Sequence, residues 1–446
     1  MNSYPLIRCQ PGDSILGWND GKHISVDQFL ADAFSLSQNL PNATWILNLC
    51  DNRYRFLVGF AAALIKGQTN ILPPNKTLKA LQSIASQFPE TYCLTDTESQ
   101  ENLGLPVFQY PSELKSVSKT LDIPEIRASH VAAIAFTSGS TGTPQPHLKS
   151  WDSMVRIARN TGNRLIPGNM EEVSIVATVP PQHMYGLETS IMLPLQHKGA
   201  LHGGRPFFPI DIRDALETVP PDRMLITTPT HLKACIESSV KFPKISLIIS
   251  ATAPLSRKLA ENAEQLLETR VFEIYGCTEA GSLATRQSTK SNAWKLLDEI
   301  KLTGNNDQSY IEATYLPQPI KLPDIIKNGE NGLFDLQGRS ADLINIGGKR
   351  TSLGELNYHL NQINKVQDGA YFVPPQNDHD HKRLIAFVVA NELREEDILQ
   401  ALRQYLDPVF LPRPIYFVDH LPRNSSGKLT RESLLETFSQ YFSKPA

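Results

Sequence analysis

Cysteine is scarce in this 446-residue chain, which has five. They stand at positions 9, 50, 93, 235 and 277, with no Cys-x-x-Cys pair among them. That scatter excludes a disulfide framework and a thiolate zinc site, and it suits a reducing compartment. Long apolar runs are also missing. The longest, Phe56–Ile65, is about half of the roughly 20 residues a membrane helix needs. The opening MNSYPLIRCQPGDS holds no apolar run, so no signal peptide is expected and the cytoplasm is the expected location. Charge of one sign is not in excess: the net charge of −3 argues against a dedicated nucleic-acid binder. No internal repeat and no low-complexity tract occur.

What is present is ordinary globular composition, 41% apolar and 20% charged. A chain of this length buries about three-quarters of its unfolded surface and accommodates two or three domains. Short β-rich runs at Val131–Phe136, Val173–Val179, Arg223–Thr228, Ile245–Ser250 and Val271–Tyr275 read as strands. Trp151–Leu165, Thr230–Val240 and Leu255–Leu267 read as helices between them, with Pro229 and Pro254 marking two starts. Near-continuous apolar strands alternating with helices predict a largely parallel sheet buried on both faces, with ligands beyond the strand C-termini.

After about residue 340 the pattern changes. Ser352–Ile363, Glu395–Leu406 and Thr430–Tyr441 read as helices, and Ala370–Val373, Arg383–Ala390 and Ile415–Val418 as strands. This stretch is long enough to fold as a small domain. GRSADLINIGGKR (338–350) separates the two patterns and carries three glycines, as a hinge would.

The run Val131–Phe136 feeds Thr137, Ser138, Gly139, Ser140, Thr141, Gly142 and Thr143, and a helix is expected after Pro144–Lys149. Glycines let backbone approach a ligand, successive N–H groups form an anion cradle, and hydroxyls add donors. The Gly-Lys-Ser/Thr of a P-loop is absent. A flexible Ser/Gly linker is the plain alternative.

Four stretches in order resemble the adenylate-forming superfamily of acyl-CoA synthetases, aryl-acid ligases and peptide-synthetase adenylation domains. They are FTSGSTGTP (136–144), EIYGCTEAG (273–281), GRSADLINIGGKR (338–350) and PRNSSGKLTR (422–431). The resemblance runs from about residue 130 to the C-terminus. It implies an α/β fold whose large N-terminal domain, residues 1–338, has parallel sheets sandwiched by helices. A hinge at 339–342 would lead to a small mobile α+β domain at 343–446. It also implies a two-step reaction: ATP and Mg²⁺ convert a carboxylic acid to an acyl-adenylate, then a thiol of CoA or of a carrier-protein phosphopantetheine displaces AMP.

The resemblance assigns roles by position. Thr137 through Thr143 would cradle the β- and γ-phosphates, which leave as pyrophosphate, so the P-loop lysine is not needed. Tyr275 would lie against adenine, Thr278 would bond the α-phosphate, and Glu279 would be a Mg²⁺ ligand. Asp324, fifteen positions before Arg339, would accept from the ribose hydroxyls; Asp335 is its rival, and Arg339 would add a donor. Lys428 would meet the carboxylate and the α-phosphate, and Arg350 joins the catalytic set. In PPQHMYGLE (180–188), His183, Tyr185 and Gly186 would line the acyl pocket, with a core histidine as the alternative for His183.

Three departures stand out. Pro144-Gln145-Pro146-His147 replaces the usual Pro-Lys-Gly, with lysine delayed to Lys149, which either helps with the phosphates or faces solvent. Ala341 occupies the usual hinge position. Ala251-Thr252-Ala253-Pro254 replaces a Gly-Gly-Ala-Pro-like adenine segment. PQPHLKSW and GGKRTSLGELNYHL are similar to stand-alone ligases of aryl-polyene and xanthomonadin-type pigment biosynthesis, which implies an aromatic acid and a carrier protein as acceptor. A fatty acyl ligase and a degenerate protein that binds nucleotide without turnover are the alternatives; a kinase or GTPase fails on the missing lysine.

Overall fold

Helices begin where the sequence supplies an acceptor for the unpaired first-turn N–H groups. Ser25, Asn52, Ser150, Thr228, Ser256 and Ser352 each accept from the backbone N–H three residues on. The chain is described here from a computed structural model covering residues 2–9, 12, 14–73, 76–98, 104–114, 121–137, 145–168, 170, 172–305, 308–339, 343–346, 349–374, 384–423 and 427–442. Helix Trp151–Leu165 has the expected limits. Helix Pro229–Glu237 begins with Pro229 in the first turn and stops short of the expected Val240.

Two sheets carry the large N-terminal part. The first orders its strands Gln145–Ser150, Val131–Thr137, Thr69–Leu72, Trp45–Asn48, Tyr92–Thr95 and Val107–Gln109. All are parallel except the first. The second has eleven strands. Its parallel block runs from Val271–Cys277 through Leu247–Ser250, Arg223–Thr227, Ser174–Ala177 and Ala200–His202 to Ile15–Asn19. Antiparallel strands Gly281–Arg286, Trp294–Leu296, Leu333–Arg339 and Asp324–Asn328 extend it beyond Val271–Cys277. Sequence reading captured four strands of this block, those at Ser174–Ala177, Arg223–Thr227, Leu247–Ser250 and Val271–Cys277, and missed Ala200–His202 and Ile15–Asn19.

Strand Gln145–Ser150 is a finding, because that stretch was expected to lead directly into the helix. Its alternation is inverted: Leu148 is 65% exposed, whereas Lys149 is 4% exposed. Apolar-in periodicity therefore gives no strand signal there.

Residues 349–442 build the smaller unit. Strands Asp368–Phe372, Ile385–Val389 and Ile415–Phe417 form a mixed sheet. Helices Leu353–Asn361, Glu395–Leu402 and Arg431–Phe442 accompany it. Two apolar cores, one around Leu356, Val388 and Ile398 and one around Phe372 and Phe387, fill it. The fold is α/β with a large N-terminal and a small C-terminal domain. No described helix is long and apolar enough to cross a membrane.

The two large sheets meet at Arg53, the first residue of helix Arg53–Ile65. Its guanidinium is fully buried. It donates to Ser190 Oγ at 2.5 Å and to the carbonyls of Ala177 and Val179 at 2.9 and 2.8 Å. Burial, and then the charge of Arg205, pull its pKa down to about 9, which still leaves it protonated at neutral pH. Arg53→Met strands these acceptors at about 1–3 kcal/mol per unpaired group. The expected outcome is a clearly lower urea midpoint; an unchanged midpoint would mean that the carbonyls find other donors.

Candidate active site

The segments that follow the C-terminal ends of the parallel strands carry several of the expected site residues. Val271–Cys277 turns through Thr278, Glu279 and Ala280 into Gly281–Arg286, so the segment reads strand, turn, strand. Thr278 and Glu279 are half-buried at its tip. Gly276 is required here, since a Cβ would stand 2.3 Å from the Gly281 carbonyl oxygen. The Tyr275 ring packs against Trp294 and Phe334, with centroids 5.7 and 5.9 Å away. Its hydroxyl donates to Asp324 Oδ2 at 2.6 Å.

Asp324 pairs in register with Arg339 across a hairpin, so the residue whose carboxylate accepts from Tyr275 stands opposite the last residue of strand Leu333–Arg339. Asp335 is exposed and pairs with Lys327. It lies three register steps from Asp324 toward the far end of the hairpin. The adenine-like segment contains Thr252 at φ 79°. That is a left-handed conformation a β-branched residue rarely adopts. Glu273 braces this segment by accepting from the Leu255 N–H at 3.3 Å, while Arg286 holds its carboxylate at 2.6 and 3.0 Å.

The segment expected to form the acyl pocket follows strand Ser174–Ala177. His183 caps helix Met184–Leu187: its Nδ1 accepts from the Tyr185 N–H at 3.3 Å, so the neutral ring carries its proton on Nε2. Burial first, and the Lys428 charge second, push the His183 pKa down to about 4. The Tyr185 hydroxyl donates to Thr227 O and Ile249 O at 3.2 and 2.8 Å, and its side chain is buried. Only its ring is left to serve a pocket. Gly186 has a packing reason, since a Cβ would stand 2.0 Å from the Pro180 carbonyl oxygen.

Lys428 comes from the other end of the chain. Gly427, at φ 77°, lies against the start of helix Pro229–Glu237: a Cβ there would be 3.4 Å from Thr230 Oγ1 and 3.6 Å from Thr228 Oγ1. Arg423 holds this turn, donating to Asp368 at 2.9 and 2.7 Å and to the Gly427 carbonyl at 3.1 Å. Thus His183, at the mouth of the parallel sheet, feels the charge of a lysine of the smaller unit.

Lys149 is not the solvent-facing residue that one reading allowed. Its ammonium is buried and donates to the Glu279 carbonyl at 2.6 Å. His147, on the same face of the strand, places Nε2 at 3.9 Å from Glu279 Oε1. Sequence reasoning missed Glu188, which is 3% exposed and accepts from the Ser282 N–H at 3.0 Å and from the Ser282 hydroxyl. Ser138, Gly139, Ser140, Thr141, Gly142, Thr143 and residues 340–342 lie outside the described residues, as do the side chains of Thr137, Arg339 and Arg350. Arg350 belongs by its backbone to strand Lys349–Ser352, opposite Asn345.

Comparison with known proteins gives consistent relationships. A family model described as "AMP-binding enzyme" matches residues 45–311, and one described as "AMP-binding enzyme C-terminal domain" matches 362–428. A 4-coumarate–CoA ligase of Halorhodospira halophila is 29% identical, over 71% of this chain and 80% of its own length. A 2-succinylbenzoate–CoA ligase of Oceanobacillus iheyensis is 24% identical over 94% and 90%. The fold is shared with the o-succinylbenzoate CoA synthetase of Bacillus subtilis in complex with its acyl-adenylate intermediate. That structure has a TM-score of 0.79 and 17% identity, over 93% of this chain and 94% of that one.

The His183 shift has a consequence for stability. The folded ring protonates near pH 4 and the unfolded one near 6.5, so the unfolded chain binds more protons between these values. Stability is therefore full above about pH 6.5 and declines as pH falls toward 4. His183→Asn is expected to flatten that limb in urea midpoints measured from pH 4 to 7. An unchanged slope would mean that the folded ring titrates normally.

Proposed function

The chain belongs to the family of AMP-binding enzymes, and from that premise we propose that it activates an aryl carboxylic acid as an acyl-adenylate and passes the acyl group to a thiol. The observation that carries this reading is the seat of Gly427, next to Lys428, against the start of helix Pro229–Glu237, where a Cβ would stand 3.4 Å from Thr230 Oγ1; it brings a cation of the small unit to the end of strand Arg223–Thr227. The reaction is AMP-forming acid–thiol ligation. The acid's carboxylate oxygen attacks the α-phosphorus of ATP, the bond to the bridging oxygen breaks and pyrophosphate leaves. A thiolate then attacks the acyl carbon and AMP departs.

In this reading the chain supplies positioning and charge. Tyr275 faces adenine, Asp324 accepts from the ribose hydroxyls with Arg339 beside it, and Thr278 donates to the α-phosphate. The loop Thr137–Thr143 cradles the departing phosphates, and Arg350 belongs to the catalytic set. Lys428 offsets charge on the attacking carboxylate and the α-phosphate; a flexible ammonium suits two oxyanions at once. The donor set at Glu279 fits Mg²⁺. It is a single half-exposed carboxylate, and among the described residues no trio of His, Cys, Asp or Glu could hold a metal alone. A hard cation there takes its other ligands from phosphate and water, which is the usual habit of Mg²⁺; when bound, it would neutralise phosphate charge.

His183, Gly186 and the Tyr185 ring line the acid's pocket, and a neutral imidazole suits a planar aryl group. Similarity to 4-coumarate and 2-succinylbenzoate ligases supports an aryl acid. The acceptor is CoA or the phosphopantetheine of a carrier protein. Residues 1–338 form the large domain and 343–446 the small one. Rotation about 339–342 would withdraw Lys428 before the thiol enters.

Acid-dependent exchange of labelled pyrophosphate into ATP, run over aryl and fatty acids, tests the reading. Exchange with hydroxybenzoates or cinnamates is expected; exchange with fatty acids alone would overturn the aryl assignment, and none with any acid would overturn the reaction. Lys428→Ala is expected to slow exchange by about 10²–10³-fold while transfer from a pre-made acyl-adenylate to the thiol stays nearly intact. Equal loss of both half-reactions would remove Lys428 from the adenylation step.

A further inference from the structure

The turn carrying Glu279 is held at both ends from inside the protein, by residues of different layers. Lys149 lies on strand Gln145–Ser150 of the first sheet, and its ammonium donates to the Glu279 carbonyl at 2.6 Å. Glu188 opens the π-helical turn Glu188–Met192 and accepts from both donors of Ser282, the N–H at 3.0 Å and the hydroxyl. Both groups are nearly sealed from water, at 4% and 3% exposure. Glu188 leaves no room at Gly281: a Cβ there would stand 2.5 Å from Glu188 Oε1, and Gly281 itself sits at φ 82°.

Burying an ammonium and a carboxylate is costly unless each is well paired. A lysine serving only the core would be replaced at less cost by an apolar side chain on the same strand face. Here the carbonyl that receives the ammonium belongs to the residue whose carboxylate is half-exposed in the cleft. The His147 imidazole stands 3.9 Å from that carboxylate, from the same face of the same strand. One strand face thus addresses both the backbone and the side chain of Glu279.

We propose that Lys149 is a positioning residue for the Glu279 carboxylate, with Glu188 and Ser282 fixing the other end of the turn. This rests on the metal and phosphate role given to Glu279 above. Lys149 touches no substrate; it sets where the carboxylate points. Outer partners of metal ligands typically change metal affinity by about 10–100-fold when removed.

The test is binding of Mn²⁺–ATP to the full chain, without acid, read from the EPR signal of free Mn²⁺ and by calorimetry. Lys149→Met, Glu279→Gln and the double variant form a cycle. Lys149→Met is expected to weaken binding about 10–100-fold but to add nothing on the Glu279→Gln background, because it acts through Glu279. Leu148→Ala, on the exposed face of the same strand, is expected to change nothing. Unaltered binding by Lys149→Met, or an equal further loss in the double variant, overturns the proposal alone. Unaltered binding by Glu279→Gln overturns the metal role of Glu279 and with it this proposal. Should Lys149→Met fail to fold, Ser282→Ala removes one hydroxyl from the other end of the turn. It must weaken Mn²⁺–ATP binding in the unaltered background and not in Glu279→Gln; any other result overturns the clamp.

Discussion

Arg53 donates to two backbone carbonyls and a hydroxyl at the junction of the two sheets, and among the described residues it has no ion pair. The acceptors are consecutive in effect: Ala177 and Val179 lead into Pro180–Glu188, and the Ser190 hydroxyl that receives from Arg53 donates in turn to the Gly186 carbonyl at 2.6 Å. Such a chain of hydrogen bonds polarises along its length. Helix Arg53–Ile65 of the first sheet therefore fixes the segment that follows strand Ser174–Ala177 of the second sheet. Gly186 tolerates this because it has no Cβ to meet Pro180.

The cleft also separates its charges by depth. Lys149 and Glu188 lie inside, where burial lowers the pKa of the ammonium and raises that of the carboxyl. Glu279 and Lys428 stand nearer the water, where charge can meet a ligand. Cys277, beside the turn, has its thiol pushed up to about 12 by burial and by Glu279. It is therefore held as a neutral thiol rather than a thiolate nucleophile.

Much of this was legible in the sequence, for reasons specific to each element. Parallel strands such as Leu247–Ser250 are buried on both faces, so apolar composition alone reveals them. Tyr275, Thr278 and Glu279 are contiguous on one strand and its turn, and contiguity needs no tertiary knowledge. Asp324 is preferred to Asp335 in the sequence on its fifteen-residue spacing from Arg339 and on the alternation of Asp335 with Phe334 and Leu336; the hairpin, which the sequence reading does not infer, sets residue 324 opposite 339. Strand Gln145–Ser150 and the roles of Lys149, Glu188 and Arg53 were not legible. The three charged residues depend on partners 94 to 137 positions away in the chain, Ser282 for Glu188, Glu279 for Lys149 and Ser190 for Arg53, and the strand is hidden by its inverted alternation. A buried charge reads in sequence as a surface charge.

The outermost parallel strand, Ile15–Asn19, finds its partner in Ala200–His202, with Gly17 opposite Leu201. A ribosome releases the N-terminus first, so that strand emerges roughly 180 residues before the segment it pairs with. At about 5–20 residues per second the wait is on the order of ten seconds or more. The strands of the first sheet, from Trp45–Asn48 to Gln145–Ser150, can assemble in that interval, because their sheet partners lie among themselves. Until then strand Ile15–Asn19 has the adjacent Lys22–Ser25 as its sheet partner, and Leu16 shares a core cluster with Val26 and Phe29. During synthesis the N-terminal hairpin therefore keeps one edge open until Ala200–His202 arrives to close it.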